Sequence, residues 1–186
     1  MRVISGVLKG RSINFLNNLN TRPLKDSVKE SIFNILIHSN LINVKIENSN
    51  ILDLYSGIGS FGIECISRKA KKVTFVEQNK NAVKVLQKNL IKLSIIHKAK
   101  ISNNKLEDFF ENNINEKFDI FFLDPPFKDL SFVKNLELIK KKKYFKKEHL
   151  VIVHREKITM DNLENILDIV EVKQYGRSKI IFGFFN

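Results

Sequence analysis

The chain has 186 residues and is 43% hydrophobic, enough to bury the core of one domain with a small appendage. No window of about 18 apolar residues marks a membrane span, no signal-peptide core follows Met1, and the single Cys65 excludes an internal disulfide. These features lead to the expectation of a soluble, cytoplasmic protein, and the net charge of +12 points to a polyanionic partner such as RNA or DNA.

In chain order, 2–5 and 11–15 are short β-like runs, with Gly6 and Gly10 bracketing a turn, which predicts a hairpin. Ser27-Val28-Lys29-Glu30 has the pattern of a capping box, and Val28, Ile32, Ile35 and Leu36 then line one face of a helix. From about residue 50 strands and helices alternate. Strands are expected at 51–55, 72–77, 99–103, 118–123 and 150–154, and helices at 60–68, 79–92, 105–112, 130–142 and 161–167. The end reads as two strands, 168–175 and 179–185, joined through Gly176-Arg177-Ser178. Such βαβ alternation predicts an α/β fold with a parallel sheet covered on both faces and one antiparallel edge. Residues 1–40 form the expected N-terminal extension and 41–186 the main domain.

Gly57-Ile58-Gly59-Ser60-Phe61-Gly62 follows the first strand of this alternation and fits G-x-G-x-x-G, with Glu77 20 residues beyond Gly57. The pattern is shared by dinucleotide sites and S-adenosylmethionine sites. Asp53 separates them. A carboxylate about 4 Å from a pyrophosphate would cost about 4 kcal/mol at an effective dielectric near 20. The cationic sulfonium and ammonium of S-adenosylmethionine suit it, and Glu77 could take ribose hydroxyls in either case.

The strand 118–123 runs into Asp124-Pro125-Pro126-Phe127. Two prolines with fixed φ and no N–H make a poor strand end. The segment is better fitted to hold a planar amine: the carboxylate and a proline carbonyl each accept one N–H, and the ring stacks on the flat group. The exocyclic amine of a base is a poor nucleophile, since its lone pair is delocalised into the ring. Two acceptors localise that pair and aim it. His38, His97, His149 and His154 are scattered without ligand spacing, so no metal is expected. Cys65 falls in the helix after the glycine loop, which argues against ring-carbon methylation through a thiolate.

With these motifs in place, the chain resembles the bacterial small-subunit ribosomal RNA guanine-N2 methyltransferase D family over essentially its whole length. The resemblance rests on Arg2-Val3-Ile4-Ser5-Gly6, Lys9-Gly10-Arg11, and Thr21-Arg22-Pro23 with Asp26, Val28, Glu30 and Phe33-Asn34. It continues through 52–57, Glu77, 124–127 and Tyr175-Gly176. It implies a Rossmann-like seven-stranded methyltransferase sheet, mostly parallel with an antiparallel C-terminal hairpin. It implies S-adenosylmethionine as donor and the N2 amine of one guanine in small-subunit rRNA as acceptor, within an assembled or partly assembled small subunit. The protein is expected to act as a monomer. Carried over by position, Asp53, Ser56, Gly57, Gly59, Glu77 and Asn104 would line the cofactor site. Asp124, Pro125, Pro126 and Phe127 would form the amine site, and Arg2, Lys9, Arg11, Arg22 and Lys29 would meet RNA. The chain departs from the family at Leu24-Lys25, where threonine with threonine or serine is usual, and at Ser27, where arginine is usual. Two other readings stay open: an amino-methyltransferase acting on DNA adenine, DNA cytosine or protein glutamine, and a non-catalytic RNA-binding assembly factor. For the run Lys140 to Lys143 with Lys146 and Lys147, a solvated helix end is expected.

Overall fold

Apolar runs rich in isoleucine, valine and phenylalanine become strands because both of their faces can be covered. The computed structural model describes residues 1–16, 24–111 and 114–186. The strands are β1 (Asn50–Leu54), β2 (Lys72–Val76), β3 (Ala99–Ser102), β4 (Phe118–Leu123), β5 (Phe145–Glu156), β6 (Leu167–Tyr175) and β7 (Ser178–Phe185). The α-helices are α1 (Asp26–His38), α2 (Ser60–Ser67), α3 (Lys80–Lys92), α4 (Leu106–Glu111) and α5 (Ser131–Lys142). Among the described residues the strands form one seven-stranded sheet in the order β3-β2-β1-β4-β5-β7-β6. β1 to β5 pair in parallel, β7 runs antiparallel to β5, and β6 antiparallel to β7.

Each sheet face carries its own apolar layer. Ile32 and Phe33 of α1, Phe61 and Ile63 of α2, and Leu86 and Leu90 of α3 cover one face. Phe109 and Phe110 of α4 and Phe132, Leu136 and Ile139 of α5 cover the other. Phe61 links its layer to the sheet, stacking on Phe122 of β4 at 4.0 Å and on Phe33 at 5.3 Å. Stacked pairs of this kind add about 0.5–1.5 kcal/mol to simple burial.

The expected N-terminal hairpin is present in short form: Arg2 and Ser12 bridge in antiparallel fashion, Val3 N–H donates to the Arg11 carbonyl at 3.0 Å, Gly10 N–H to the Val3 carbonyl at 2.9 Å and Ile13 N–H to the Met1 carbonyl at 3.0 Å. It is tied to α2: Val7 N–H donates to the Ser67 carbonyl at 2.8 Å, and Ile4 and Ser5 N–H donate to Glu64. Gly6 has φ +80° and lies so close that a Cβ there would sit 2.1 Å from the Ser67 carbonyl oxygen. Three local expectations are corrected. Ser27 does not cap α1, which begins after Lys25; the Ser27 carbonyl instead accepts a bond from the Ser31 hydroxyl one turn on. The helix expected at 161–167 is a turn leading into β6, because Asp161 is held by Arg155. β5 starts five residues earlier than the apolar run, its Phe145 pairing with Phe118 and its Lys146 meeting Asp119 at 2.7 Å.

Candidate active site

The strand order reverses between β1 and β4, and ligands bind at the carboxyl ends of strands at such a reversal. Asp53 of β1 lies beside Phe122 of β4, and Asp124 follows β4 directly, so the topology brings the two carboxylates to one crevice. The chain then climbs into α2 through a left-handed turn, with φ +59° at Tyr55, +55° at Gly57 and +85° at Gly59. A Cβ at Gly59 would meet Leu86 Cδ1 at 2.4 Å, so both conformation and packing demand glycine there. Tyr55 holds its unfavourable φ while its hydroxyl accepts a 3.4 Å bond from Asn135 of α5.

The Gly59 N-cap of α2 offers no side chain, and Asp53 supplies the missing acceptor from below: Gly62 N–H donates to its carboxylate at 3.0 Å. Asp53 is almost wholly buried. Burial pushes its carboxyl well above the usual range, and Asp124 and Glu77 push it further, against the lowering effect of the Gly62 bond. Three carboxylates facing one crevice make a site that favours a cation and repels a phosphate. Glu77 ties two elements, accepting Gly57 N–H at 2.8 Å and Asn79 N–H at 2.7 Å. Asn104 donates to the Ser102 hydroxyl at 3.0 Å.

Glu77, Asn104, Asp124, Pro125, Pro126 and Phe127 line a cleft of about 450 Å³, within the range of small-ligand sites. A smaller recess of about 60 Å³ adjoins it, lined by Asp53, Ser56 and Ser60, and shares Tyr55, Gly57 and Asp124 with the cleft. The buried Ser56 hydroxyl in this recess has no hydrogen-bond partner among the described residues. Such a hydroxyl is open to a hydrogen bond from water or from a polar ligand group.

Two residues that the sequence analysis did not single out hold the tetrapeptide. His154 closes the apolar run of β5 one position beyond the Leu123–Val153 pair, and its Nδ1 donates to Asp124 at 2.8 Å. An ionised carboxylate can only accept, so this ring nitrogen carries the hydrogen. Arg155 is completely buried, and its guanidinium donates to the Pro126 carbonyl at 3.1 Å and the Phe127 carbonyl at 3.0 Å. Its Nε donates to Asp161, and its plane lies over the Phe132 ring at 4.5 Å. Burial opposes ionisation of Asp161, but Arg155, Thr159 and Lys179 together hold its carboxyl below the usual range. The signal for these residues was a run of polar groups at the carboxyl end of a predicted parallel strand.

The residues expected to meet RNA divide. Arg2, Lys9 and Arg11 are exposed, and Arg22 lies outside the described residues. Lys29 is fully buried, a correction to its expected surface role: its Nζ donates to the Arg2 carbonyl at 3.1 Å and lies 4.0 Å from buried Glu64. It fastens the N-terminal segment to α2. Cys65 is buried, and burial pushes its thiol up, with Asp53 and Glu64 adding to the effect. No helix among the described residues is long and apolar enough to cross a membrane. Among them no three His, Cys, Asp or Glu side chains are placed so that they could hold a metal ion together.

A family model described as conserved hypothetical protein 95 matches residues 1–184. The ribosomal RNA small subunit methyltransferase D of Haemophilus influenzae is 37% identical over 159 residues, covering 84% of this chain and 79% of that one. The protein of the same name from Buchnera aphidicola of Acyrthosiphon pisum is 36% identical over 155 residues, covering 83% of this chain and 78% of that one. The chain belongs to the ribosomal RNA small subunit methyltransferase D family. A solved structure of a Haemophilus influenzae protein assigned as a methylase superposes with TM-score 0.76 at 32% identity, covering 98% of this chain and 96% of that one. The family's fold and the seven-stranded sheet described above therefore coincide.

Proposed function

We propose that this protein methylates the N2 amine of a guanine in small-subunit ribosomal RNA, with S-adenosylmethionine as donor. The observation that carries the reading is Asp124-Pro125-Pro126-Phe127 at the cleft, beside the carboxylate-rich recess of Asp53, in a chain of this family. The tetrapeptide suits several amines; guanine N2 in rRNA rests on the family resemblance and on the names of the relatives.

The residues fit the donor. Glu77 and Asn104 would hold its nucleoside end along the larger cleft. Asp53, Ser56, Gly57 and Gly59 would hold its amino-acid end at the recess, where the negative charge and the orphaned hydroxyl call for a cation with polar groups. When bound, S-adenosylmethionine supplies a methyl group on a positively charged sulfur.

The remaining work falls to this chain. Asp124 and the Pro125 carbonyl accept the two amine hydrogens and turn the nitrogen lone pair out of the ring plane. His154 occupies one Asp124 oxygen and so fixes the carboxylate. Phe127 stacks on the base. Arg155 takes the Pro126 and Phe127 carbonyls, leaving that of Pro125 outside its clamp. As the amine nitrogen gains its new bond, positive charge builds on it, and the fixed Asp124 carboxylate stabilises that charge without reorganisation.

Labelled donor offered with small subunits from a strain lacking the enzyme, with free rRNA and with DNA tests the reading. Mass-spectrometric mapping should find label on one guanine of the rRNA; label on DNA alone would overturn the substrate assignment.

Asp53 provides a second measurable consequence. Its raised pKa means that its contribution to stability is complete below the usual carboxylate range and is lost as pH rises through the raised value. Asp53→Asn keeps an acceptor for Gly62 N–H but removes the buried charge. At neutral pH the variant should melt higher, by about 2–4 °C for each kcal/mol gained. It should also bind S-adenosylmethionine at least about tenfold more weakly, which corresponds to about 1.4 kcal/mol. Calorimetry and thermal melts read the two effects separately, and unchanged donor affinity would remove Asp53 from the cofactor site.

A further inference from the structure

We propose that Lys80, Lys84, Lys88 and Lys92 of α3 form a phosphate-binding ridge for the RNA substrate, extended by Arg2. The inference rests on the methyl-transfer reading above and adds the path by which the nucleic acid approaches.

The four lysines recur at every fourth residue and all are exposed. Every fourth residue advances about 6 Å along a helix and turns by about 40° around it, so the lysines form a slanting ridge that runs for about 18 Å along the axis. That advance is comparable to the separation of neighbouring phosphates on one strand. α3 contains no Asp or Glu, so its three like-charged neighbouring pairs destabilise the isolated helix without compensation from within it. A helix face selected for solvation alone would interleave acids, as α5 does with Glu137. On the opposite face, α4 carries Glu107, Asp108 and Glu111 and no basic residue, whereas α5 beside it ends in the second lysine cluster, which serves as the control.

The position of the ridge links it to the site. Asn79 caps α3 and lines the cleft, so Lys80 stands at the cleft's rim. At the far end Lys92 Nζ donates to the Ser12 hydroxyl at 2.8 Å. Ser12 bridges Arg2, and residues opposite each other in an antiparallel bridge project to the same face, which brings exposed Arg2 beside Lys92. The Asn14 backbone and Asn89 side chain exchange two hydrogen bonds, at 2.8 and 3.1 Å, and lock the N-terminal segment against α3. The chemistry that matches a slanting row of ammonium groups leading to a base-sized cleft is a sugar–phosphate backbone, which also winds.

The test is the quadruple variant K80Q/K84Q/K88Q/K92Q of the full chain, beside a control, K141Q/K142Q/K143Q/K147Q, that removes the same charge from the other cluster. Glutamine has nearly the helix propensity of lysine, and the repulsion is relieved, so the ridge variant should fold. Binding to small subunits and to free rRNA is measured across salt concentrations, and donor binding by calorimetry. Four lost phosphate contacts should reduce the slope of log affinity against log salt by about three, while the control changes it by less than about one. Donor affinity should stay within about twofold. A ridge variant with the wild-type slope, or a control that loses as much, overturns the ridge. If the wild-type protein methylates rRNA in the same experiment, that failure leaves the methyl-transfer reading standing; absence of any transfer to RNA removes the reading itself.

Discussion

Replacing Asp124 with alanine is expected to lower turnover by at least about 10²–10³-fold while S-adenosylmethionine still binds with near wild-type affinity. The split follows from where the carboxylate sits. The recess that would hold the donor's amino-acid end is built by the glycine turn, Ser56 and Asp53, and Asp53 keeps its Gly62 bond whatever occupies position 124. Asp124 stands at the wall shared by recess and cleft, with His154 on one oxygen. Removing the carboxylate takes away both an acceptor for the amine and the negative charge facing the nitrogen as it becomes positive. It also removes a like charge that pushes Asp53 upward, so donor binding should not suffer. Asp124→Asn is the sharper probe, because it keeps the shape and loses the charge. His154 would then face a neutral amide, and turnover should remain at least about 10²-fold down. Single-turnover rates and calorimetric donor affinities check both variants. Turnover near the wild-type level in Asp124→Ala would refute the assigned role.

Arg155→Lys should cost about 10²-fold in turnover per folded molecule, although neither residue 155 nor its partner Asp161 is expected to touch the base. The guanidinium makes planar, divergent contacts: two backbone carbonyls of the tetrapeptide on one side and Asp161 on the other. An ammonium is a point charge on a flexible stem and cannot hold all three in that geometry. The Phe127 ring and the Pro125 carbonyl would lose their fixed aim, and misplacement by about 1 Å is enough for such a loss. Arg155→Met is the harsher variant. It strands the buried Asp161 carboxylate with Lys179 as its remaining basic neighbour at 3.6 Å, and breaking a buried pair costs about 3–5 kcal/mol. A merely structural arginine would lower donor binding and turnover together, in proportion to the unfolded fraction. A positioning arginine lowers turnover in molecules that still bind donor. Arg155→Lys with wild-type turnover per donor-competent molecule would exclude the positioning role.

Much of this site was legible from residues alone because its parts are local. The glycine turn, Asp53 ahead of it and Glu77 at the next strand end all follow from strand-then-helix patterning over short stretches. Prolines after β4 stop a strand wherever it lies in the sheet. Boundaries failed where a side-chain contact or strand pairing overrode local preference. The turn before β6 is set by Arg155 reaching Asp161 six residues on, and the early start of β5 by pairing with β4 through a register shift. Ser27 has the side chain of a helix cap, yet α1 begins earlier, leaving that serine inside the first turn.

Lys29 is the plainest case of what sequence could not decide. It sits among basic residues in a segment read as an RNA contact, but besides Asp26 one turn away its partners are Arg2, Ser60 and Glu64, which lie 27 to 35 positions away. Whether a lysine faces solvent or a buried carboxylate depends on how that segment docks, and docking is a property of the assembled layers. The pairings of Asp124 with His154 and of Phe127 with Arg155 likewise span 30 and 28 residues and exist because β4 and β5 are neighbours in the sheet. The sequence by itself therefore determined the alternating fold, the glycine turn with Asp53 ahead of it, and the Asp124-Pro125-Pro126-Phe127 strand exit, since each is carried by contiguous residues. The tertiary structure alone decided which side chains fix that tetrapeptide and which basic residues remain at the surface, since strand order and layer packing create those contacts.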